Sequence, residues 1–147
     1  MNYGLHAEME SALTAVIGDM REAVTQLAAA LAAERSALEQ ADAEALHLAG
    51  TAKQAQMERL EQLDGERVQL LRAIAAPAPA QGAAWSEVVA ALADCQRANQ
   101  YNGQVVGQRL RQVRQALSVL TGGSESTLYG PAGTLHTDHR QQSLAEA

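Results

Sequence analysis

The sequence predicts an all-α protein: an antiparallel three-helix bundle or coiled coil over residues 1–122, followed by a flexible C-terminal tail over 123–147. Three observations carry that prediction. The 147 residues include 31 alanines but only three tyrosines, one tryptophan and no phenylalanine. Alanine, leucine, glutamate, glutamine and arginine are the good helix formers. So little aromatic bulk argues against a sandwich, a barrel, or a nucleic-acid binder built on base-stacking platforms. Large apolar residues also recur at three- and four-residue steps in three long stretches. Between those stretches stand two breaks, one near Asp42 and one at a proline-rich segment beginning at Pro77.

The first helix is expected over about residues 5–40. Leu13, Ile17, Met20, Val24, Leu27, Leu31 and Leu38 form one seam that only Glu34 interrupts. Alanines 28, 29, 30, 32 and 33 favour the helix and let another backbone approach closely. A second helix is expected over about 42–76. Asp42 can accept a hydrogen bond from a free N–H of its first turn. Its stripe runs through Leu46, Met57, Leu60, Leu63, Leu70, Leu71 and Ile74. Gly50 and Gly65 weaken this helix by up to about 1 kcal/mol each relative to alanine.

Pro77-Ala78-Pro79-Ala80-Gln81-Gly82 stops the second helix near Ala76, because proline donates no backbone hydrogen bond and restricts the residue before it. Ser86, followed by Glu87, reads as the N-cap of a third helix over about 86–121. Val88, Val89, Leu92, Cys95, Val106, Leu110, Val113, Leu117 and Leu120 are its apolar positions. Thr121-Gly122-Gly123-Ser124 ends it, since glycine accepts the left-handed conformation at a helix C-terminus. Residues 123–147 hold few large apolar groups and read as a mobile tail.

Several function classes are excluded at this level. A net charge of −6 disfavours nonspecific binding to nucleic acid or to anionic membrane. The longest uncharged helical stretch, 23–33, is too short for a bilayer, and Met1–His6 carries no basic-then-apolar signal pattern. The lone Cys95 excludes an internal disulfide and fits a reducing compartment. A soluble, cytoplasmic protein without stable membrane insertion is therefore expected. His6 and His47 stand apart, and His136-Thr137-Asp138-His139 lies in the expected tail without rigid support for a metal. No catalytic residue, metal site or cofactor is expected, and Cys95 reads as a small buried hydrophobe.

The third helix carries the unusual features. Residues 86–122 hold four arginines and two acids, whereas residues 1–40 hold six acids and two bases. Arg109, Arg111 and Arg114 lie beside Leu110, Val113, Leu117 and Leu120. Such an amphipathic helix packs into its own bundle or into a partner groove, and both readings are open. Upstream, Asn99-Gln100-Tyr101-Asn102-Gly103 places poor helix formers where the stripe should continue. Asn99, Asn102 and Gly103 read either as a polar layer that sets register, with Gly103 and Gly107 admitting a neighbouring helix, or as a partner contact.

These residues also carry a resemblance. The run 99–103, then Arg109, Gln115, Ala116, Leu117 and Leu120, then Thr127-Leu128-Tyr129-Gly130-Pro131-Ala132-Gly133, resembles the C-terminal half of FlgN-like flagellar export chaperones. That family shows N-x-x-N-G, an amphipathic helix and T-L-Y-G-x-x-G in this order. Glu34, Ala37 and Leu38 are similar to its E-x-x-A-L element, followed by Asp42, Leu46 and Lys53, the single lysine here. Trp85 falls near an aromatic position that opens the third helix in relatives.

The resemblance implies a dedicated cytoplasmic chaperone of flagellar type III secretion. It would bind the hook–filament junction proteins FlgK and FlgL, prevent their early assembly and deliver them to the export gate. Arg109, Leu110, Val113, Arg114, Leu117 and Leu120 would meet the client, and Tyr129 would contact the cytoplasmic domain of the gate. No cofactor is implied. The alternative from a different class is a structural coiled-coil adaptor that scaffolds a protein complex. Monomer and dimer are both compatible with the stripes.

Overall fold

The apolar seam of the first helix organises the fold. In the computed structural model, which describes residues 3–122, helix α1 runs Tyr3–Gln40, α2 Ala43–Ala73 and α3 Pro79–Leu120. The described residues are all-α and form a three-helix bundle without strands. They fall into two units, one up to Val105 and one from Val106 onward.

In the first unit, α1 is the helix with the widest buried face. Val16, Ile17 and Met20 begin a pattern that returns seven residues later as Ala23, Val24 and Leu27, then as Ala30, Leu31 and Glu34, then as Ala37 and Leu38. That seven-residue recurrence keeps one face of a helix against its neighbours over many turns, as in coiled coils. Leu13 and Met20 of α1 and Val88 of α3 are the most deeply buried large side chains of this unit. Leu60 and Leu63 of α2, Ile74, and Val88 and Cys95 of α3 complete the core. The expectation that five alanines between 28 and 33 permit close approach is corrected. Of these only Ala30 is buried, and the buried alanines of α1 are Ala23, Ala30 and Ala37.

Specific contacts establish the helix directions. Cys95 Sγ faces the Val24 carbonyl and Asn102 Nδ2 donates to the Leu31 carbonyl, both across a separation of 71 residues. A constant separation means that α1 and α3 run parallel. Gln56 Nε2 donates to Gln26 Oε1 at 2.7 Å and Lys53 Nζ meets Glu34 Oε2 at 2.8 Å, so α2 runs antiparallel to α1.

The first connection is as tight as the sequence indicates. Ala41 takes φ 55, its N–H donates to the Leu38 carbonyl and that of Asp42 to the Ala37 carbonyl. This pattern satisfies carbonyls that a helix end leaves free. Asp42 then accepts from the Ala45 N–H at 3.0 Å and caps α2, a contact of about 1 kcal/mol.

The second connection departs from expectation at both ends. Helix α2 stops at Ala73, three residues before Ala76, and Ile74 turns extended with φ −107 and ψ 130. Leaving the helix lets the Ile74 side chain drop into the core. Helix α3 begins at Pro79, seven residues before Ser86, so Ser86 is not its N-cap. Proline is well tolerated at a first helical position, where its missing N–H would have had no intrahelical partner. Ser86 instead lies within α3 and donates to the Gly82 carbonyl. Val89, expected on the apolar side, is exposed. At the far end, Gly122 has φ 69, the left-handed turn expected there.

Candidate functional site

A polar cluster crosses all three helices of the first unit. Glu34 of α1 interrupts an apolar seam and is nevertheless buried. Its Oε2 meets Lys53 Nζ of α2 at 2.8 Å, and its Oε1 accepts from Asn102 Nδ2 of α3 at 3.0 Å. The same Asn102 amide donates to the Leu31 carbonyl at 3.0 Å, and Lys53 also donates to Asn99 Oδ1 at 3.1 Å. A buried carboxylate is tolerable only when paired and hydrogen-bonded, and here both oxygens have partners. A Cβ built on Gly103 would meet nothing within 4 Å, so no helix approaches at that glycine. At Gly107 a Cβ would touch only the Arg111 side chain, at 3.8 Å.

Beside the cluster, a groove of about 310 Å³ is lined by Leu27, Leu31, Met57, Leu60, Leu92 and Cys95, with Lys53, Gln96 and Asn99 as polar lining. Burial, reinforced by the charge of Asp94, pushes the Cys95 thiol above its ordinary pKa. That shift favours the thiol over the reactive thiolate. Among the described residues no group of three or more His, Cys, Asp or Glu could hold a metal ion, and no helix is long and apolar enough to cross a membrane. The histidines at 136 and 139 lie outside the described residues.

Two contacts escaped the sequence reading. Gln81, placed in a linker, is buried. Its Nε2 donates to the Glu10 carbonyl at 2.8 Å and to Thr14 Oγ1 at 3.0 Å, while its Oε1 accepts from the Ala78 N–H. The signal was available in heptad spacing, since the buried positions of α3 are Gln81, Val88, Cys95 and Asn102. Arg67 lies over the Trp85 ring, 3.8 Å from its centroid, and also holds Asp64 at 2.8 Å. Neither residue of this pair stands out by sequence spacing alone.

The second unit presents a different surface. Its part of α3 carries Val106, Leu110, Val113, Leu117 and Leu120, all exposed. Leu110 is 52% exposed, Val113 55%, Leu117 47% and Leu120 83%. Arg111 and Arg114 are exposed and Arg109 is half-buried. The side chains on which the sequence left two readings open thus form a stripe with access to solvent. Tyr129 and the Thr127–Gly133 motif lie outside the described residues, as does the whole of the expected tail.

No curated protein and no solved structure is similar enough to the chain to match it. A family model described as FlgN protein does match, over residues 9–137. That span contains all three helices from Met9 onward, the polar cluster and the exposed stripe, and the chain belongs to the FlgN family of non-enzymatic chaperones.

Proposed function

We propose that this chaperone serves flagellar type III export. It captures the hook–filament junction proteins FlgK and FlgL, keeps them from assembling early and delivers them to the export gate. The observation that supports this reading is the exposed stripe of Leu110, Val113, Leu117 and Leu120 on the last turns of α3. Segments that fold only on assembly need their apolar faces covered beforehand, and a helix with an uncovered apolar stripe provides a releasable cover. Arg109 and Arg114 accompany the stripe and meet polar groups of the client.

The test is a titration against isolated C-terminal segments of FlgK and FlgL. Changing Leu110, Val113 and Leu117 together to alanine is expected to weaken binding by at least about 2 kcal/mol, roughly thirty-fold. Because these side chains are exposed, each change should move folding stability by no more than about 0.5 kcal/mol. A folded triple variant that binds as tightly as wild type would remove the stripe from the client site.

Delivery is assigned to Tyr129, which combines a large contact area with a hydrogen-bonding hydroxyl. Tyr129→Ala is expected to leave client binding in place and to reduce the affinity of the loaded chaperone for the gate's cytoplasmic domain. Titrating client alone, and then the loaded chaperone against the gate domain, separates the two roles. Equal gate affinity for the two proteins would exclude Tyr129 from delivery.

A further inference from the structure

The exposed stripe has a charge pattern that specifies its partner more closely. From Val106 to Gly122 the sequence holds Arg109, Arg111 and Arg114 and no acidic residue, in a chain whose net charge is −6. At about 100° per residue, Arg109 and Arg114 fall on opposite flanks of the Leu110, Val113 and Leu117 stripe. Among the described residues none of these three arginines forms an ion pair, as is also true of Arg59 and Arg72, whereas Arg21, Arg35, Arg67 and Arg97 each pair with a carboxylate.

We infer that this part of α3 receives an amphipathic helix whose apolar stripe is flanked on both sides by Asp or Glu, the arginines selecting and orienting it. The inference rests on the client-binding reading of the same stripe and adds the chemistry of the client's flanks. Rim charges of this kind act mainly on the association rate and on register, while the apolar residues between them govern dissociation. The acidic remainder of the chain disfavours approach of an acidic helix anywhere else. Charge also argues against a second copy as the occupant. Two such stripes placed face to face would bring arginines together, with no carboxylate from 106–122 of either chain to meet them.

The experiment uses the full chain and two synthetic helical peptides with one leucine stripe, flanked by glutamate in one and by glutamine in the other. Fluorescence anisotropy should show the glutamate peptide binding at least about ten-fold tighter in roughly 0.05 M salt, with most of that advantage gone in roughly 0.5 M salt. Changing Arg109 and Arg114 together to Gln should abolish the difference between the peptides. Equal affinities that are still lost on changing Leu110, Val113 and Leu117 to Ala would overturn the charge inference and leave the apolar docking reading standing. If neither peptide binds, hydroxyl-radical footprinting of Leu110 and Leu117 in the free chain identifies the reason. Shielding that grows with chain concentration would make a second copy the occupant, and shielding independent of concentration would assign the cover to another part of the same chain. Either overturns the inference, and an accessible stripe that binds neither peptide overturns the docking reading as well.

Discussion

Leu13→Ala is expected to destabilise the protein by about 2–5 kcal/mol, the range for truncating a buried leucine when the surroundings close only partly over the gap. Leu13 is 1% exposed and belongs to the same buried cluster as Ile17, Met20 and Val88. A loss of that size is a large fraction of the roughly 5–15 kcal/mol that holds most domains folded. Urea unfolding followed by circular dichroism measures it directly, with Leu117→Ala as the comparison. Both changes remove the same atoms from helical leucines, but Leu117 is 47% exposed and should cost no more than about 0.5 kcal/mol. The contrast separates the two ends of the apolar pattern by energy. Equal losses at both positions would mean that Leu117 is covered in solution.

Lys53→Met is expected to cost about 2–4 kcal/mol, because it strips a buried carboxylate of its counter-charge. The side chains of Lys53 and Glu34 are 25% and 11% exposed, so the residual charge gains little from water. Asn102 Nδ2 would remain as the hydrogen-bond donor to Glu34, and Asn99 Oδ1 would lose the ammonium. Adding Glu34→Leu removes the charge that Lys53 neutralises, and the double variant should recover at least about 1 kcal/mol relative to Lys53→Met. Comparing both single variants with the double isolates the coupling between the two positions. A Lys53→Met protein within about 0.5 kcal/mol of wild type would show that water already solvates this pair. The layer's role in register has its own readout. Full helicity with loss of dispersed amide signals in the double variant would show that the polar layer selects one packing from several.

The number of helices, the seam of α1 and the position of the first turn were legible because each rests on local physics. Apolar spacing selects which side of a helix avoids water, and Asp42 caps the helix from three residues away. Long seams have enough repeats for the period to be unmistakable. The start of α3 was misread for an equally local reason. Two prolines look like a break, yet Pro79 requires no N–H at a first helical position, and the buried Gln81 becomes visible only when heptads are counted backwards from Cys95.

Residue order alone is enough to show that the chain is helical, that Glu34 and Asn99 to Asn102 are exceptions in apolar seams, and that the basic stripe lies late in α3. The convergence of Glu34, Lys53, Asn99 and Asn102 is visible only in the packed helices, since these residues come from three helices and their pairing depends on how those helices are aligned. Packing also separates two parts of one apolar pattern. Val88 and Cys95 are buried while Leu110, Val113 and Leu117 are exposed, although all five belong to the same helix. Periodicity records which face of a helix is apolar, but burial depends on whether another element covers that face, and that information resides in contacts between distant parts of the chain.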